Sequence, residues 1–366
     1  MNHLGNQVVI PEKPAPGGYY ECPYTSECEA LVEKVLHEVS LPSYPSIAQR
    51  EQQDDGGWQI QGTSDGVTSS LRSRKSSDPL SMLPTFRGQC RIEYRRPIEV
   101  FSAIRVQGYR MMWDTRVKSA NILRSFSQND FFFYLVWRGI GPLYSPRDVA
   151  GIQVCRFWDA SGTPQPYGDL SSSRIVIAYK GMDNIPGVPE VADGCVRAKI
   201  LHAGWCLEER DGGTDVTFLG SVDLAATIPG YILTTLTNEI PKVTARLRDA
   251  VANFGVPPII IDRTQCIAQQ ALSCSPETRF IHLFATILKP GVFEIVLDSV
   301  KMYRRGVFIA SVSGPAFEVG AVRILEENHG SILVEVLSNG IQGDFSLVLQ
   351  PRDKELERVD TSLGWW

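Results

Sequence analysis

None of the eight cysteines in this 366-residue chain belongs to a CxxC pair. The paired spacing of a structural zinc site is therefore missing. Five of the eight sit in or beside apolar, strand-like runs, where buried free thiols are common. The expected setting is reducing and cytoplasmic, with peripheral contact at membranes. There are only five histidines, and none falls in an HExxH pattern. GxSxG, the P-loop and the dinucleotide fingerprint are missing too, so no familiar catalytic motif, metal or cofactor is implied. Charges, Gly or Pro interrupt every apolar run before it could span a bilayer. The N-terminal stretch lacks the basic start and apolar core of a signal peptide. Position 2 is Asn2 rather than the glycine of N-myristoylation, and SLGWW is no prenylation box. A net charge of −5 argues against a surface built for nucleic acid, so no nucleic-acid partner is expected.

What is present is ordinary for a soluble protein, with 43% hydrophobic and 21% charged residues and length enough for two cores. Residues 1–24 read as a flexible lead-in rich in Pro, Gly and Tyr. Ser26 and Glu29 have capping-box spacing. Leu31, Val32, Val35, Leu36 and Val39 then recur at helical period, predicting a helix over 26–39. Pro42 and Pro45 end it. Residues 57–75 read as two strands around a Ser64–Gly66 turn, and 86–94 as a third. Pro97 suits the first turn of a helix running to about Met111. Strands follow at roughly 117–126, 130–138, 147–158, 173–180, 194–208 and 214–224.

From Pro229 to Phe254, Ile232, Leu236, Ile240, Val243, Leu247, Val251 and Phe254 recur every three or four residues. They predict one long amphipathic helix, which Pro241 should kink or loosen. GVPP at 255–258 marks a domain boundary. Residues 259–352 hold short β-like runs separated by turns, predicting a smaller all-β domain, sandwich or barrel. Residues 353–366 form a charged, then aromatic, tail. A curved antiparallel sheet followed by one long helix can enclose an apolar molecule, which favours carriage over turnover.

The element order helix, three strands, helix, six strands, long helix resembles the START lipid-transfer family. So do particular strings: SPRDV at 145–149, CVRAKI at 195–200, and VTFLGSVDL with IPGYILTTL leading to Pro241. The resemblance covers about residues 20–254 and implies an α+β helix-grip fold over 25–254. It also implies binding and non-vesicular transfer of one lipid, held in an internal cavity beneath the last helix. The ligand would be a phospholipid, a ceramide-like lipid or a sterol. Sterol carriers of the family place an acid and an arginine where an ungapped count finds Tyr134 and Gln153. The amide positions of ceramide carriers fall on Val136 and Tyr179.

The candidate cavity residues are Phe132, Tyr134, Val136, Gln153, Cys155, Tyr179, Arg197, His202 and Trp205. Each has a plainer reading beside the functional one. The 131–137 strand is apolar on both faces, as a core strand or a cavity wall would be. Gln153 is either solvent-facing or, with Tyr134, a neutral partner for a ligand hydroxyl or carbonyl. Arg197 either pairs with Asp148 or another acid, or meets a head-group phosphate. His202 and Trp205 either line the cavity or fill it. The candidate moving parts are Ile140, Leu143 and Tyr144 in one loop and Ile232, Leu236, Ile240, Pro241, Val243 and Leu247 in the helix. Residues 70–124 carry twelve basic and four acidic side chains. They make either a balanced surface or a patch for transient contact with anionic membranes. Two other functions stay open: a lipid-sensing adaptor whose β domain recruits a partner, and an enzyme of the wider superfamily.

Overall fold

The structure is a computed structural model. It describes residues 19–45, 56–72, 84–140, 144–188, 190–191, 194–225, 229–274, 278–314, 321–326 and 330–352. Most of the lead-in, Leu143 and the 353–366 tail lie outside the described residues. The chain divides into two compact units: 1–105 with 110–252, and 106–109 with 253–366.

The first unit opens with α1, Thr25–Ser40, which buries Cys28, Leu31, Val32 and Val35. Its start differs from the capping-box expectation. Ser26 bonds Glu27, while Glu29 accepts from Arg156 across 127 positions of sequence, so a long-range ion pair takes the carboxylate that would have capped. Four strands follow: β1 Ser43–Tyr44, β2 Trp58–Ser64, β3 Val67–Arg72 and β4 Thr85–Ile92. Asp65 and Gly66 join β2 to β3 with φ of 54° and 67°, the left-handed pair that a two-residue hairpin turn requires.

The helical stretch expected over 97–111 is two helices, α2 Pro97–Arg105 and α3 Gln107–Trp113. Next come β5 Val117–Ser125, β6 Asp130–Trp137, β7 Arg147–Trp158, β8 Pro164–Gln165 and β9 Arg174–Gly181. The strand expected over 194–208 is split. β10, Val196–Arg197, pairs parallel with β7, and β11, Lys199–Arg210, runs antiparallel to β9. β12, Gly213–Asp223, closes the set. One twelve-stranded sheet results, in the order β1-β2-β3-β4-β12-β11-β9-β7-β6-β5, with β8 and β10 hung on β7.

The long helix is broken. α4, Gly230–Glu239, and α5, Val243–Phe254, flank Ile240, Pro241 and Lys242. Proline has no N–H to donate back along the helix, and the chain tightens there instead. Val243 N–H bonds the Ile240 carbonyl at 3.1 Å and Thr244 N–H the Pro241 carbonyl at 3.4 Å. Ile232, Leu236, Val243, Leu247 and Val251 are buried as the stripe predicts, but Phe254 is 45% exposed.

From Ile259 onward the described elements of the second unit are strands. Its strands are β13 Ile259–Ile261, β14 Ile267–Cys274, β15 Ile281–Ile287, β16 Gly291–Asp298, β17 Val307–Ser313, β18 Val322–Glu326, β19 Ser331–Ser338 and β20 Gly343–Pro351. They form two four-stranded sheets, β13-β16-β19-β18 and β14-β15-β20-β17. The sheets meet through Phe293 and Phe345, whose ring centroids are 5.6 Å apart.

Candidate functional site

Strand register decides which side chains share a face, because directly paired residues project to the same side of a sheet. Gly88 pairs with Phe218, Phe218 with Trp205, Trp205 with Ile177, Ile177 with Cys155, and Gln153 with Phe131. One face therefore carries Gly88, Phe218, Trp205, Ile177, Cys155, Gln153 and Phe131. Tyr179 joins it, two residues beyond Ile177 and opposite Gln153.

This face lies under helices. Phe101 of α2 meets Phe157 at 5.1 Å, and Trp113 of α3 meets Trp205 at 6.0 Å. The break after α4 sits directly on β4. A Cβ at Gly88 would come within 2.2 Å of the Pro241 carbonyl oxygen. Cys90 Sγ donates to the Thr244 carbonyl at 3.4 Å. We call this the lid face.

The opposite face packs against α1. Val35 meets Gly204 so closely that a Cβ there would lie 2.8 Å from its methyls. Phe132, Tyr134, Val136, Ile152, Val154, Val176, Ala178 and Cys206 form one buried cluster with α1.

The nine candidate cavity residues therefore divide. Gln153, Cys155, Tyr179 and Trp205 fall on the lid face. Phe132, Tyr134 and Val136 fall on the α1 face, so Tyr134 and Gln153 cannot act on one ligand group together. The Tyr134 hydroxyl instead donates to Asp148 at 2.8 Å. Arg197 grips the same fully buried carboxylate with two bonds of 2.8 and 2.9 Å, which makes it a structural partner of Asp148. Burial pushes the Tyr134 hydroxyl well above the ordinary tyrosine value, and its bond to Asp148 adds to this. His202 also points to α1, its Nε2 lying 3.0 Å from Glu38 Oε1, and so does not line the lid face.

Of the loop residues, Ile140 is half-buried and bridges to Tyr144. Tyr144 is buried beneath the Arg147 guanidinium, 3.9 Å from its ring centre. Ile240 is half-buried at the helix break. Several of the described residues of the basic stretch have acidic partners. Arg72 pairs with Glu38, Arg91 with Glu93 and Asp215, and Arg95 with Glu99. Arg87 is buried over Trp58.

Three charged residues at the lid face were not singled out from the sequence. Arg105, ending α2, lies over Phe131 at 4.3 Å. Arg110 of α3 reaches Asp114 at 3.4 Å and sits beside the Tyr179 hydroxyl. Burial alone would lower the Arg110 guanidinium, but Tyr179 and Asp114 outweigh it and hold the group above its usual value. Burial likewise raises the Tyr179 hydroxyl, with Arg110 opposing. The i, i+4 spacing of Arg110 and Asp114 was the available signal. Four buried atoms here have no hydrogen-bond partner: Arg105 Nε, Arg110 Nε, Tyr179 OH and Trp205 Nε1. Burial pushes the Cys155 thiol up to about 12, far from a reactive thiolate. Among the described residues, no group of three or more His, Cys, Asp or Glu side chains is placed to hold a metal ion.

A sheet with α1 on one face and the proline-broken helix pair reaching the other is the arrangement the resemblance implied. Residues 95–255 match the family model described as START domain. The START domain match takes in α2 through α5 and leaves out α1 to β4 and the second unit. Among solved structures, human StAR-related lipid transfer protein 5 is 21% identical, over 63% of this chain and 97% of that chain, with a TM-score of 0.49. Human STARD10 is 15% identical, over 59% and 83%, with a TM-score of 0.44. A STAR-related lipid transfer protein fragment from Xanthomonas axonopodis is 20% identical, over 54% and 99%, with a TM-score of 0.42. A search of the curated proteins found no match. No helix among the described residues is long and apolar enough to cross a membrane.

Proposed function

We propose that this protein binds one lipid between the lid face and the α4–α5 pair and carries it between membranes. The observation that carries this reading is chemical. The lid face is apolar, yet among the described residues the Trp205 indole N–H is buried in it without a partner and the Tyr179 hydroxyl has only the Arg110 guanidinium beside it. Leaving such a group unpaired costs about 1–3 kcal/mol, so a partner that arrives with a ligand offsets a standing penalty. The START domain match to residues 95–255 supports the same reading. The role is that of a carrier in the cytoplasm that meets membranes transiently.

Release requires α4 to swing away. Among the described residues its buried apolar anchors are Ile232 and Leu236, whereas α5 buries Val243, Ala245, Leu247, Ala250 and Val251. The weaker anchoring makes α4 the moving half, with Ile240–Lys242 as the hinge. Native mass spectrometry of the purified full chain, with transfer of fluorescent lipid between vesicles, tests the proposal. Bound lipid with transfer well above the spontaneous rate is the expected result. A chain that carries no lipid and moves none overturns it, and tight binding without transfer favours the adaptor.

A further inference from the structure

We propose that the lid face selects a lipid whose polar end carries a net negative charge, a phosphomonoester or a carboxylate, held by Arg105 and Arg110. This rests on the lipid-binding reading and goes beyond it by naming the charge of the head.

The argument is an inventory of donors and charges. Arg105 Nε, Arg110 Nε, Tyr179 OH and Trp205 Nε1 are buried without partners, and all four can donate. The acceptor-only buried atoms left unpaired among the described residues of the same unit lie elsewhere. Glu38 Oε2 is on the α1 side, and Asn129 Oδ1 is in the turn between β5 and β6. A ligand completing the lid face must therefore bring acceptors. Neutral hydroxyls and amides bring donors as well, and of these four groups only the Tyr179 oxygen can accept.

Charge points the same way. Of these two arginines Arg110 alone is paired with an acid among the described residues, Asp114 at 3.4 Å. That acid also faces Arg116. Among the described residues Arg105 has no carboxylate within ion-pair distance; its guanidinium rests on the Phe131 ring. An uncompensated guanidinium beside an apolar face is costly, and arginine does not shed its proton at neutral pH to escape. An anionic head removes the excess and accepts from the free N–H groups in one step. Guanidinium groups pair with phosphate or carboxylate through parallel bonds, which gives direction as well as charge. A zwitterionic head leaves its own cation to be housed, and Asp114, already shared by two arginines, is a poor host.

The test uses the full chain and four lipids with matched oleoyl chains: phosphatidic acid, free oleate, diacylglycerol and phosphatidylcholine. Each is offered in vesicles and scored by native mass spectrometry and competition with a fluorescent lipid. Phosphatidic acid, oleate or both should load at least tenfold more tightly than the other two, and which of them wins separates phosphate from carboxylate. The R105Q and R110Q variants, checked for folding by circular dichroism, should lose most of that preference while still taking up diacylglycerol. Diacylglycerol or phosphatidylcholine binding as tightly as both anions overturns the inference and leaves the carrier reading intact. Folded variants that keep the full preference also overturn it. Failure of all four lipids to load counts against the carrier reading itself.

Discussion

Adding one methyl group at Gly88 should unseat the helix break from β4. The Cβ of a Gly88→Ala variant would lie 2.2 Å from the Pro241 carbonyl oxygen and 2.8 Å from both its carbonyl carbon and its Cα. All three are backbone atoms, so no side-chain rotation relieves the contact. Ordinary contact begins at 3.4 Å, so the helix break must retreat by roughly 1 Å. Overpacking of this kind costs about 1–3 kcal/mol. Against it stands the ~0.4–1 kcal/mol that Gly→Ala gains by restricting the unfolded chain. The net loss is about 1–2 kcal/mol, which lowers Tm by roughly 2–8 °C in a unit of this size. Because the seat of the hinge is displaced, exchange of a fluorescent lipid should also accelerate. Gly230→Ala is the control, since nothing lies within 4 Å of its Cβ position at the start of α4. Thermal unfolding and stopped-flow exchange read the two effects. A Gly88→Ala protein as stable as the parent and equally slow to exchange would refute the seating of the break on β4.

Pro241→Ala restores a backbone N–H where α4 and α5 separate. The helices should join and lipid exchange should slow several-fold at nearly unchanged affinity; equal rates would deny the hinge a kinetic role. Asp148→Ala strips a fully buried acid from Arg197 and Tyr134. With Arg197 35% exposed, the expected loss is about 2–4 kcal/mol by urea unfolding, and a loss under ~1 kcal/mol would contradict the pairing. Burial alone would raise the Glu38 carboxyl, but its bonds to His202 and Arg72 outweigh it and hold the group below its usual value. A depressed carboxylate contributes stability that is present above its unfolded pKa and lost as pH falls through the folded one. Stability should therefore drop as pH falls below about 4.3, and Glu38→Gln should flatten that limb. An identical acid limb in the variant would show that Glu38 carries none of it.

The first unit was legible because its elements announce themselves locally. The Leu31, Val32, Val35 periodicity fixed α1, and Gly66 fixed the first hairpin. The faces were harder to read. β6 reads FFFYLVW and is buried from Phe131 to Val136, so its alternation carries no inside and outside. Only the pairing of Phe131 with Gln153 and of Tyr134 with Ala150 shows that Tyr134 and Gln153 point apart. Arg105 and Arg110 were hidden for a related reason. They sit in a stretch with many basic residues, and only the fold separates those that turn inward from those paired at the surface. The Pro241 effect was legible in kind but not in degree. Sequence marks the missing donor, whereas the close approach to Gly88, which seats a full break, depends on a strand some 150 residues away.

The two faces differ in what they leave unfinished, and that difference argues for where a ligand goes. On the α1 face Asp148 is fully satisfied by Arg197 and Tyr134, and the rings of Tyr24 and Phe126 close on Phe132 at 5.7 and 4.8 Å. Around Asp148 and Phe132 such a face gains little from a guest, although Glu38 Oε2 stays unpaired elsewhere on it. On the lid face the apolar surround is complete, but the donors inside it are not. A lipid tail burying ~600 Å² there contributes about 15 kcal/mol before the entropy of association is counted. Every long-chain lipid offers nearly the same amount, so the tail supplies affinity without discrimination. Each donor left unmatched subtracts about 1–3 kcal/mol. Two such mismatches separate competing heads by roughly thirtyfold or more, since 1.4 kcal/mol is a factor of ten. On the proposed function, choice among lipids therefore rests on Tyr179, Trp205 and the two arginines rather than on the aromatic walls around them.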